Sequence, residues 1–159
     1  IRIMAHYAFI NSEDIVVDVI VGVDEDDTDK LPSDFSSWEE FYESQRTDLT
    51  CKRTSFNTRN GIYTTTDKDG DIIAGADGEQ GKAFRGNFAM IGGTYDSSKD
   101  VFLPPKVFDS WVYDADNVSW KAPVDRPDDY EVVPYLWNEK DQEWTEVTAD
   151  NDPNGDHFG

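Results

Sequence analysis

The chain has 159 residues, 13% of them aromatic and 30% charged, with 34 acidic groups against 14 Lys and Arg for a formal net charge of -20. That length fits one domain, or one domain with an appendage, around a small core, and a charge of that size excludes nucleic acid and anionic membranes as partners because both repel it. The single Cys51 excludes an internal disulfide and a multi-cysteine metal site.

The charge is unevenly spread. Residues 1–45 carry 2 basic and 12 acidic groups, residues 46–94 carry 7 and 6, and residues 95–159 carry 5 and 16. A near-neutral middle is therefore held between two acidic ends. No stretch has the form of a signal peptide, and the longest apolar run, "IVVDVIVGV", is broken by Asp18 and too short to span a bilayer, so a soluble chain without a targeting segment is expected.

In chain order, "HYAFI", "NSED" and "IVVDVIVGV" read as a β-hairpin: two β-rich runs joined by residues that bond local backbone. The acidic stretch "DEDDTDKLPSD" follows as an exposed loop. "SSWEEFYESQ" is the one helix, expected over about 36–45. Ser37 and Glu40 have capping-box spacing, and Trp38, Phe41 and Tyr42 share one face that should lie across a sheet. Strands return with "CKRTSFN", the turn "TRNG", "IYTTT" and "IIAG". The glycine-rich "GADGEQGKAFRG" reads as an exposed loop, and "NFAMIGGTY" as a further strand.

From Tyr95 the chain repeats itself. "YDSSKDVFLPP", "YDADNVSWKAP" and "WNEKDQEWTEV" each set an aromatic, then Asp or Asn, and a second aromatic seven places after the first: Tyr95 and Phe102, Tyr113 and Trp120, Trp137 and Trp144. In a hairpin with a polar turn, such rings can pack as a cross-strand pair while the Asp or Asn starts the turn. Prolines at 104, 105, 123, 127 and 134 keep these strands short. The expectation is a mainly β fold: a small sheet or sandwich of short antiparallel hairpins with one helix. It comprises a base over 1–94, three aromatic-clasped hairpins over 95–147 and an extended acidic tail over 148–159.

Chemistry is sparse. His6 and His157 are the only histidines and neither has a partner at defined spacing. No nucleophile elbow, phosphate loop or zinc spacing appears, so no catalytic or cofactor-binding residue is assigned and a non-enzymatic protein is expected. Asp67, Asp69 and Asp71 in "DKDGD" are the one calcium candidate, but Gly70 falls at the fourth position rather than the sixth that an EF-hand loop needs, and an ordinary turn is the expected reading. Lys52, Arg53, Arg59, Lys82 and Arg85 are candidate partner-binding residues, read as pairing with the acidic ends within the chain or on another copy.

The strings "TSFNTRNG", "FRGNFAMIGGTYD", "FLPPKVFDSW", "SWKAPV" and "WNEKDQEW" together resemble, in order over most of residues 4–147, a family of small structural proteins of marine tailed bacteriophages, especially those of cyanobacteria. Gly86 and Met90 stand where that family usually has Lys and Gly, and "TTTDKDGDIIAGADGEQG" resembles an insertion. The resemblance implies a virion component without catalytic residues, found among phage structural genes. The expected function is capsid decoration, in many copies bound to the major capsid protein on the head. The alternatives are a tail or tail-fibre component whose exposed Tyr and Trp rings stack on host glycans, and a calcium-dependent carbohydrate-binding module.

Overall fold

A computed structural model describes residues 4–153 and Gly155. The fold is mainly β, built from small antiparallel sheets with one α-helix among the described residues. The expected fold class is the one that forms. Of the tail over 148–159, Asn154 and residues 156–159 lie outside the described residues.

Strands β1 (Met4–Ile10) and β2 (Val16–Val23) form the N-terminal hairpin, and β3 (Thr50–Thr54) adds to the other side of β1. The connection between β1 and β2 turns on Asn11, whose side-chain oxygen accepts from Glu13 N and Ile15 N, with Asp14 in the left-handed region at φ 62°. A bulge between Phe9 and Ile10 places Val16 rather than Val17 opposite Ile10. Val16 is buried, and Val17 is left exposed.

Helix α1 (Trp38–Ser44) starts where Ser37 accepts from Glu40 N at 3.1 Å; the Glu40 carboxylate reaches back not to Ser37 but to Ser36, at its backbone N and hydroxyl. Its face of Trp38, Phe41 and Tyr42 covers Ala5, Tyr7, Phe9 and Cys51 on one side of the sheet. The Tyr7 and Tyr42 rings lie 4.7 Å apart. A second cluster, Ala8, Ile10, Val16, Ala89, Tyr95 and Phe102, fills the opposite side. One short sheet thus serves two small cores, which suits a chain with few apolar residues.

Strands β4 (Thr58–Arg59), β5 (Ile62–Thr66) and β6 (Ile72–Ala74) make a second three-stranded sheet. Asn60 and Gly61 turn the chain between β4 and β5 at φ 50° and 75°, the pair of left-handed residues a two-residue hairpin demands. The stretch read as an exposed loop is instead a 3-10 turn over Asp77–Lys82, held by Gln80, whose side chain accepts from Tyr63 N and donates to Tyr63 O and Gly75 O.

One expected strand does not form. "NFAMIGGTY" is strand only over β7 (Thr94–Asp96), because the preceding backbone is bonded to separate partners rather than to a ladder. Phe88 N donates to Thr58 O, Ala89 N to the Thr54 hydroxyl and Gly92 N to Val16 O. Strand β7 pairs with β8 (Val101–Leu103).

The remaining strands are β9 (Val112–Asp114) with β10 (Ser119–Lys121), and β11 (Tyr135–Asn138) with β12 (Glu143–Glu146). Contacts divide the chain into two compact units, Ile1–Pro105 with Asp114–Ser119, and Lys106–Tyr113 with Trp120–Gly159. The β7–β8 hairpin and the tip of β9–β10 thus belong with the N-terminal sheet.

The three hairpins share one turn. Asp96 accepts from Ser98 N and Lys99 N, Asp114 from Asp116 N, and Asn138 from Asp141 N. Four residues after each of these, Asp100, Val118 and Gln142 are left-handed at φ 53°, 45° and 52°. In the first and third hairpins the aromatics sit in register: Tyr95 opposite Phe102 with rings 5.1 Å apart, and Trp137 opposite Trp144 with rings 5.3 Å apart. Tyr113 and Trp120 lie on the paired strands β9 and β10, where the Lys106 ammonium stands 5.0 Å from the Trp120 ring.

Candidate interaction surface

The partner-binding candidates do not form one patch. Arg85 is inside: its guanidinium pairs with Glu39 at 2.6 Å and Asp100 at 2.8 Å, and donates to Arg53 O at 2.9 Å. Glu39 Oε1 accepts Arg53 N as well. Glu39 and Arg85 together therefore satisfy both backbone groups of Arg53 on the outer edge of β3, as a neighbouring strand would. Cys51, two residues back on that edge, donates its N–H to Glu43 at 2.8 Å, so one helix face supplies both carboxylates at i, i+4.

This arrangement fixes titration. Burial pushes the Cys51 thiol up to about 12, with the carboxylates of Glu39 and Glu43 acting the same way, so it is an inert core group. Burial raises the Asp100 carboxyl, but the Tyr95 hydroxyl and the Arg85 guanidinium outweigh it and hold the group below its ordinary value. The Tyr95 phenol is pushed up to about 12 by burial and by that hydrogen bond.

Among the other candidates, Arg53 lays its guanidinium 5.2 Å from the Phe84 ring, and Lys82 pairs with nearby Glu79 at 2.8 Å while fully at the surface. Lys52, opposite Ala8 on β3, and Arg59 on β4 make no ion pair among the described residues. Asp67 accepts from Asp69 N and Asp71 N at 2.9 Å each, closing an ordinary turn, and Asp69 pairs with Lys68. No three His, Cys, Asp or Glu side chains gather as a metal site among the described residues, and no helix there is long and apolar enough to cross a membrane.

Arg59 instead borders an apolar surface. The His6, Phe56 and Phe88 rings pack together, 5.2 to 5.9 Å apart, and burial lowers the His6 pKa so that the imidazole is neutral near pH 7. Beside them opens a groove of about 520 Å³ walled by Arg59, Asn60, Phe88, Ala89, Met90 and Pro104. Phe56, Met90 and Ile91 are 56%, 54% and 62% exposed. The groove's far wall is held in place by the separate backbone bonds from Phe88, Ala89 and Gly92 given above, so these side chains are displayed on fixed backbone.

No protein-family model, no curated protein and no solved structure matches this chain. No hydrophobic periodicity marks this surface, since Phe56 sits in a turn and Met90 and Ile91 in an irregular segment. The only hint was composition: large apolar side chains next to Ser, Asn and Gly, where no strand or helix would bury them.

Proposed function

We propose that this chain is a non-enzymatic structural protein of a bacteriophage virion, carried in many copies on the outside of the head and bound there to the major capsid protein. The observation that carries the reading is the groove lined by Phe88, Ala89, Met90 and Pro104, with exposed Phe56 packed on Phe88 beside it, on a chain whose charge of -20 otherwise keeps it in water. Exposed apolar surface of this kind marks a site of protein association. The near-neutral charge of residues 46–94, which contain most of the groove, lowers the electrostatic cost of bringing a partner to it. The likeness of the ordered motifs to marine phage structural proteins supplies the particle.

A host-glycan role has less to recommend it. The partly exposed rings of Tyr130 and Trp144, the natural stacking platform, already carry the Arg126 guanidinium at 4.3 and 5.8 Å. Quantitative mass analysis of purified particles separates the readings. Head decoration requires copies on the order of hundreds per particle, following capsid symmetry. A few to tens would move the protein to the tail or fibre, and absence from particles would end the virion reading.

A further inference from the structure

We infer that the β5–β6 arm of one copy seats in the groove lined by Arg59, Phe88, Met90 and Pro104 of a second copy of this chain. This rests on the many-copy reading above and names the contact between copies.

The arm is built to be covered. Its strands bury no residue, and Ile62, Ile72 and Ile73 are 43%, 52% and 45% exposed. Its outer edge is also open. Asp67 N bonds Asp71 O and Gly75 N bonds Tyr63 O, so the alternation of an antiparallel ladder turns Ile73 toward β5 and the backbone groups of Ile72 and Ala74 outward. A three-residue edge with isoleucines on both faces and no cap among the described residues is a binding strand rather than a protected one.

The groove offers what the arm lacks. It presents apolar Phe88, Met90 and Pro104, and its charged wall residue is Arg59, which has no ion pair among the described residues. The arm's tip holds Asp67, Asp69 and Asp71 against one cation, Lys68, which pairs with Asp69, so the tip is net acidic and Asp71 is its exposed carboxylate outside an ion pair among the described residues. Groove against groove would bring two Arg59 side chains to one contact, and arm against arm would bring together two net-acidic tips; arm against groove matches both charge and apolarity. The tip cannot serve its own groove. Arg59 pairs with Ile62 at the base of β5, and the strand from there to Asp67 carries the tip roughly 16 Å away. The contact is therefore heterologous, and it propagates or closes a ring.

Sedimentation velocity on the full chain across a concentration series tests this. The expected result is reversible association that Ile72→Ser with Ile73→Ser, or Arg59→Asp, each weakens at least about tenfold. Near-ultraviolet circular dichroism should be unchanged, since all three side chains lie at the surface. Mixing the arm variant with the groove variant should restore a single junction and stop at a dimer. Adding Asp69→Arg and Asp71→Arg to Arg59→Asp should recover association. A monomeric wild-type chain at every concentration, association indifferent to both variants, or a mixture that stays monomeric would each overturn the inference. Hundreds of copies on particles combined with a monomeric isolated chain would leave the proposed function standing and remove this contact.

Discussion

Two edge strands of this protein, β3 in the N-terminal sheet and β6 in the β4–β6 sheet, are treated in opposite ways. In the N-terminal sheet, β3 has Cys51 N and Arg53 N taken up by Glu43 and Glu39, and its Arg53 carbonyl by Arg85. On the opposite edge, Asp18 accepts Val19 N, Tyr42 accepts Val23 N, and Tyr7 donates to Val23 O. In the β4–β6 sheet the edge strand β6 is exposed at every residue, with no such cap. Side chains of Glu39, Glu43 and Arg85 close the β3 edge against strand pairing, whereas the outward backbone groups of β6 have no such cap among the described residues.

Breaking the closed edge should cost most. Arg85→Met removes the partner of Glu39, leaves the Arg53 carbonyl unmet and uncouples Asp100. Because both sides of the Glu39 pair are mostly shielded, a loss of about 3 kcal/mol in urea unfolding is expected. A loss below about half a unit would mean that the ring of contacts is ornamental. Glu43→Ala strips one cap from one buried-edge amide and should cost about 1 to 2 kcal/mol by the same measurement.

Acid sharpens the same contrast. Asp100 titrates lower in the folded chain than in the unfolded one, so its contribution is complete above the ordinary aspartate range and disappears as pH falls through the depressed folded value. Asp100→Asn should flatten that acid limb of a stability–pH curve. Cys51 gives a further readout: thiol-reactive dye should label it only on unfolding, at a rate set by opening of the β3 edge. Smallest of all, Ile72→Ser and Ile73→Ser should shift unfolding of dilute monomer by no more than about 0.5 kcal/mol, as surface substitutions do.

Much of the closed part was legible in the sequence. The Ser37 cap and the Trp38, Phe41, Tyr42 stripe state a helix and its buried face, and Asn60–Gly61 states a turn. The Asp or Asn after each repeated aromatic marks the side chain that holds each later turn. What could not be read was the left-handed residue closing those turns, because it is Asp100, Val118 or Gln142 rather than glycine. Val118 tolerates the conformation where its side chain rests over Gly86. A β-carbon there would stand 2.6 Å from Val118 Cγ1, and Gly86 itself has φ 71°. The strand expected over "NFAMIGGTY" failed because alternation of apolar residues says nothing about backbone partners, and those partners are Thr58, Thr54 and Val16. Arg85 likewise shows no sequence sign that it would go inside: its partners Glu39 and Asp100 are 46 and 15 residues away. The groove was invisible for the same reason, being assembled from a turn and an irregular segment.

Amide hydrogen exchange, read by residue on dilute and on concentrated protein, tests the contrast between closed and open edges most directly. Cys51 and Arg53 amides should be protected at both concentrations, while Ile72 and Ala74 exchange freely when dilute and become protected only on association. Arm amides as slow as those of β3 in the dilute monomer, or equally fast at both concentrations, would contradict that contrast.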